Sequence, residues 1–113
     1  MPETRAVALD WLGRRQPPPP FDLERRLVRA VERTQSTGAS TAEVLADAGL
    51  ELLASAARAG AERTAANDLL TADALLTYAI EAATEDGVAA LDSILTRLQL
   101  HRFDELLAAH ERR

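Results

Sequence analysis

Apolar residues recur every three to four positions along most of this chain, the spacing that gives an α-helix one core-facing side. Val7 with Trp11 and Ala8 with Leu12 predict a short amphipathic helix over residues 3–12, which Gly13 would end. Pro17 to Pro20 follow as a polyproline II stretch, a semi-rigid spacer with no internal hydrogen bonds. A second helix opens at Asp22, a good N-cap, and runs to about Gln35 with Leu23, Leu27, Val28 and Val31 as its stripe. Ser36-Thr37-Gly38 is a loop. Ser40 and Glu43 then form a capping box for a third helix. Its apolar side is Val44, Leu45, Ala48, Leu52, Ala56 and Ala59, with Asp47, Glu51 and Arg58 opposite and Leu50 stranded on the polar side.

Gly60 is expected to break the chain there, with Thr64 capping the next helix, rather than to sit inside one long bent helix. That next helix covers about Ala65 to Glu85, with Leu69, Ala72, Leu76, Ile80 and Ala83 as its core side, and Asp86-Gly87 stops it. The last helix starts near Val88 and changes phase. Leu91, Ile94, Leu95 and Leu98 form one stripe, while Leu100, Phe103, Leu106 and Leu107 form another, rotated around the axis. Either the helix breaks near Leu100-His101 or both sides are buried, the second against another copy of the chain. Leu100, Phe103 and Leu107 are therefore the expected self-association surface.

The pattern predicts an all-α fold: a small bundle of three to four main helices with a short N-terminal helix on a Pro-rich arm. Residues 1–20 read as an amphipathic segment and linker, with Trp11 as the anchor that docks on a partner or a second copy, and residues 21–113 as the bundle.

Composition narrows the chemistry. The 113 residues suit one domain with one core. Aromatics are 4%, so Leu, Val, Ile and Ala must fill that core, and Ala allows close helix pairs. With no Cys there is no disulfide framework and no thiolate chemistry. A net charge of −5 speaks against a protein whose main task is neutralising phosphates. No apolar run is long enough to span a bilayer, and Glu3 and Asp10 stand where a signal peptide would be basic and apolar. A cytoplasmic protein with no membrane contact is expected.

Catalytic groups are sparse. Asp73 falls on the apolar side of its helix beside Leu69, Leu76 and Ile80, which makes it the candidate buried polar residue. Asp68 points about 140° away from it on an ideal helix, so the two form no dyad. His101 and His110 would lie on opposite sides of one helix, and no Glu-x-x-His metal signature occurs. No catalytic residue, metal ligand or cofactor site is predicted. Arg25, Arg29 and Arg33 make a basic stripe with Arg26 beside it, but Asp22, Glu24 and Glu32 interleave, so a solvated side is expected. Arg14-x-x-Pro17-x-x-Pro20 also fits the pattern of a ligand for SH3-type domains.

Two short segments resemble known families. Ala48-Gly49-Leu50, within Thr41 to Arg58, resembles the turn of helix-turn-helix repressors, although Leu45 and Ser55 depart from the family pattern. That resemblance implies a DNA-binding regulator. Asp73-Ala74-Leu75-Leu76-Thr77-Tyr78-Ala79-Ile80 resembles a helix of polyprenyl diphosphate synthases, without the Asp-rich metal-diphosphate motifs of that family. It implies at most a non-catalytic accessory subunit. The residues themselves favour a third role: a non-enzymatic helical interaction or assembly protein, self-associating, with a protein partner and no nucleic acid.

Overall fold

A computed structural model describes the backbone of residues 2–59 and 63–111 and the side chains of residues 3–59 and 63–101. Its elements are α1 (Pro2–Gly13), α2 (Phe21–Arg33), α3 (Thr41–Ala59), α4 (Arg63–Asp86) and α5 (Val88–Glu111), with no strand among the described residues. The all-helical expectation holds.

Small side chains set the closest packing. α3 and α4 share the most extensive interface in the molecule. Ala42, Leu45, Ala48 and Ala56 of α3 are buried, as are Ala65, Ala72, Leu75, Ala79, Ala82 and Ala83 of α4. A Cβ added to Gly49 would lie 2.9 Å from Leu76 Cδ2 and 3.3 Å from the Ala72 carbonyl oxygen, so glycine is what lets the two helices approach here. Leu27 and Val31 of α2 and Ile94 of α5 close the core from their own sides.

Helix boundaries follow local chemistry. α2 opens at Phe21 behind Pro20, which makes no side-chain cap bond, so Asp22 is not the N-cap. It sits instead in the first turn, where a carboxylate favours the positive end of the helix. The helix ends at Arg33 because Thr34 turns extended, with ψ 144°. Ser40 caps α3 as expected, its Oγ accepting the Glu43 N–H over 3.1 Å, but the Glu43 carboxylate reaches one residue further back than in a capping box and accepts from the Ala39 N–H over 3.0 Å. α3 ends at Ala59 and α4 begins at Arg63, which leaves Thr64 inside the helix; Gly60 lies outside the described residues. Gly87, at φ +113°, makes the one-residue link between α4 and α5.

Two further expectations are corrected, and one alternative is decided. Residues 1–20 do not stand off as an arm: Ala8, Trp11 and Leu12 belong to the core, and α1 packs on α2 and α3. Of the two alternatives for α5, the break near Leu100-His101 is not found, and the helix continues through it. In α4 Ala72 and Ala83 are buried as expected and Leu75 joins them, but the buried side is rotated away from Leu69, which is 48% exposed, and Ile80, which is 37% exposed. Asp73 shares their displacement and is exposed.

Candidate functional site

Two clusters of charged side chains are spent on the architecture of the molecule. Glu43, Asp47 and Glu51 recur one turn apart on the outer side of α3. Arg97 of α5 donates to Glu43 and Asp47, over 2.7 Å each. Asp47 also accepts from the Ser36 hydroxyl over 2.6 Å, and Glu51 accepts from the Thr34 hydroxyl and the Gln35 N–H over 2.6 and 3.0 Å. The acidic stripe thus ties down the α2–α3 loop and α5. A hollow of about 410 Å³ beside it, reached by Leu50 and His101, is lined by carboxylates already engaged in these bonds.

Trp11 is engaged as well. Its indole N–H donates to Glu85, its ring meets Tyr78 edge-on at 6.0 Å and 81°, and the Arg15 guanidinium lies 3.5 Å above the ring centre. Arg15 continues to Glu81 and Glu85, at 3.1 Å each. Those hydrogen bonds, from Trp11 first and then Arg15, hold the Glu85 carboxyl below the usual range. Burial, and then the nearby Glu81 charge, pushes the Tyr78 hydroxyl up. The expected partner anchor is therefore a contact within the chain, and Trp11 is only 8% exposed.

The remaining surface of interest is a groove of about 730 Å³ between α2, α3 and α4. Arg26, Arg29 and Arg33 of α2 form one wall; Thr64, Asn67, Asp68 and Thr71 of α4 form the other. Ala48, Glu51, Leu52 and Ser55 of α3 make the floor, with Ala30 at its α2 edge and Gln35 beyond Arg33; the Glu51 carboxylate is engaged by the Thr34 hydroxyl and the Gln35 N–H. The core stripe Leu27 and Val31 fixes the rotation of α2 and so places these three arginines at the groove. Arg25, over the Phe21 ring at 5.9 Å, lines a smaller adjoining hollow with Asp22, Arg26 and Arg29.

What distinguishes the groove is that three unpaired cations line it together. Among the described residues Arg14, Arg15 and Arg97 form ion pairs; Arg26, Arg29 and Arg33 form none, nor do Arg5, Arg25, Arg58 and Arg63, which lie outside the groove. Asp68 across the groove is not ion-paired either, so opposite charges face each other without contact. Thr71 is buried, and its hydroxyl donates to the Asn67 carbonyl oxygen over 2.9 Å. A groove with one cationic wall, a floor whose apolar part is Ala30, Ala48 and Leu52, and a polar far wall suits an anionic ligand with an apolar body.

The other sequence candidates do not converge. Asp73 lies in solvent, and only its carbonyl oxygen has a bond, from the Thr77 hydroxyl over 2.8 Å. Leu100 is 60% exposed, while the side chains of Phe103, Leu107 and His110 lie outside the described residues. The turn that a helix-turn-helix needs at Ala48-Gly49-Leu50 is the middle of α3. Among the described residues no three of His, Asp or Glu come together to hold a metal ion, and no helix is long and apolar enough to cross a membrane. Pattern alone misses the groove because its residues come from three helices; the arginine stripe is its one sequence signal. Comparison with protein-family models, curated proteins and solved structures found no match for this chain.

Proposed function

We propose that this chain is a non-catalytic helical binding protein that holds an anionic, partly apolar ligand in the groove between α2, α3 and α4. The observation that carries this reading is the wall of Arg26, Arg29 and Arg33, three guanidiniums without an ion pair among the described residues of a chain with net charge −5. A guanidinium recognises carboxylate, sulfonate or phosphate with paired N–H donors. Ala30, Ala48 and Leu52 supply apolar surface beneath it.

Anilinonaphthalenesulfonate, an anion on an aromatic body, is a direct probe. It should bind at one site, weaken with salt, and shift amide resonances of Ala48, Leu52, Asn67 and Thr71. Replacing Arg26, Arg29 and Arg33 together by Gln should abolish that site while the helical circular dichroism persists. Undiminished binding by the folded triple variant would end the reading.

Self-association is a second reading, favoured by Leu100 and Leu95, which are 60% and 42% exposed on an unbroken α5. Sedimentation equilibrium tests it: Leu100→Glu should lower the association constant, and a wild-type chain monomeric at millimolar concentration would remove it.

A further inference from the structure

We infer that the occupant of the α2–α3–α4 groove is an amphipathic acidic helix of a partner protein, carrying carboxylates one turn apart along one edge. This rests on the groove reading above and specifies the ligand.

Shape is the first ground. Each element lines the groove over the same run: residues 26–33 of α2, 48–55 of α3 and 64–71 of α4. Seven residues of helix rise about 10 Å, so the groove is two helical turns long and bounded by three rods. That is the vacancy a further helix fills in a bundle, its apolar side laid on the floor and its edges against the walls. The floor suits large side chains from the occupant, because Ala30 and Ala48 leave room above them.

Charge is the second. Arg26, Arg29 and Arg33 are spaced i, i+3, i+7, so they share one side of α2 and are spread over about 10 Å of its length rather than gathered at one point. A fatty-acid-like amphiphile carries its charge at one end and would leave most of this wall unmatched. An acidic helix edge repeats its charge at the same pitch as the arginines, in the manner of the flanking ion pairs of a coiled coil. Across the groove Asp68 asks for the opposite sign, so the occupant's other edge carries a Lys or Arg. A single-stranded nucleic acid also repeats its charge, but the groove offers no aromatic side chain for stacking and sets Asp68 against the phosphates.

The experiment uses the full chain and synthetic fluorescein-labelled helical peptides. The first has Glu at i, i+3 and i+7, Leu on the adjoining side and one Lys on the far edge. A scrambled peptide of identical composition and a Gln-for-Glu peptide are controls. The Glu peptide should displace anilinonaphthalenesulfonate and bind at least about tenfold more tightly than either control. Arg29→Glu should lose that advantage, and a peptide with Arg in place of its i+3 Glu should restore it on this variant alone. Because Arg29 is exposed, the variant keeps the fold, which circular dichroism verifies. Equal binding of the scrambled peptide overturns the inference. So does arginine-dependent binding of dodecanoate or of a single-stranded oligonucleotide where the Glu peptide fails, although the groove itself would then stand. Binding of every probe without regard to the arginines would remove the groove reading as well.

Discussion

The indole N–H of Trp11 donates to Oε1 of Glu85 over 2.9 Å, joining α1 to the last turn of α4 across 74 residues of sequence. Arg15 lies on the outer side of the same indole and reaches the same carboxylate. The two donors favour the ionised form, so the folded chain holds Glu85 below its ordinary value. A carboxyl with a lowered folded pKa contributes stability in full above the unfolded pKa, and that contribution goes as pH falls through the folded value. Acid titration below the ordinary glutamate range should therefore loosen α1, with a change in Trp11 emission. Glu85→Gln keeps an acceptor but no charge, and should flatten that part of the titration. An unchanged acid profile in this variant would assign the effect to other carboxylates.

Removing residues 1–20 should destabilise the whole bundle. The deletion uncovers the core where Ala8, Trp11 and Leu12 were buried. Burying a Trp and a Leu contributes about 5 kcal/mol by area, an upper figure because the unfolded chain already hides part of that surface. Trp11→Ala alone should cost about 3 to 5 kcal/mol. Denaturant melts measure both. A truncated chain with the parent midpoint would mean that α1 docks without stabilising.

How far the sequence could be read is clearest at Trp11 and in α4. The helices themselves are legible, because a 3.6-residue period, the N-cap Ser40 of α3, and Gly87 are local signals. The separation of residues 1–20 is not, since a Pro-rich link says how the chain leaves α1 and nothing about where α1 returns. The period of α4 is legible but its rotation is not. Ala72 and Ala83 are read correctly, but Leu69 and Ile80 pull the expected side away from Leu75 and Ala79, which are the residues buried beside them. Asp73 read as buried for the same reason. The arginines of α2 could be seen, but which of them share a groove depends on α3 and α4.

Gly49 and Gly13 should respond in opposite ways to a side chain. Gly49→Val must push against Leu76 and the Ala72 carbonyl and should cost about 2 kcal/mol or more. At Gly13 an added Cβ meets nothing within 4 Å, and its φ is not positive. Gly13→Ala should be neutral or raise stability by up to about 1 kcal/mol, through the lower entropy of the unfolded chain. Thermal midpoints of the two variants give the comparison, and a tolerated Val at Gly49 would show that α3 and α4 are not held so close.

Glu43 serves two structures at once, and the two can be separated. Its Oε1 accepts the Ala39 N–H at the start of α3, and its Oε2 accepts from Arg97 of α5 over 2.7 Å. Arg97→Met removes only the second contact, and with it the bond to Asp47. Glu43→Ala removes the ion pair and the side-chain bond from the Ala39 N–H, while its own N–H keeps the bond to Ser40 Oγ. Losing the Ala39 bond, the capping share of this side chain, costs about 1 kcal/mol, and a partly exposed ion pair contributes at most about 1 kcal/mol after solvent screening. Glu43→Ala should therefore destabilise even in a chain that already carries Arg97→Met, by roughly the capping share. The remaining coupling should shrink as salt is added, whereas the capping share should not. A double-mutant cycle in low and high salt measures both, and a salt-independent coupling would place Arg97 as a packing residue rather than a charge partner.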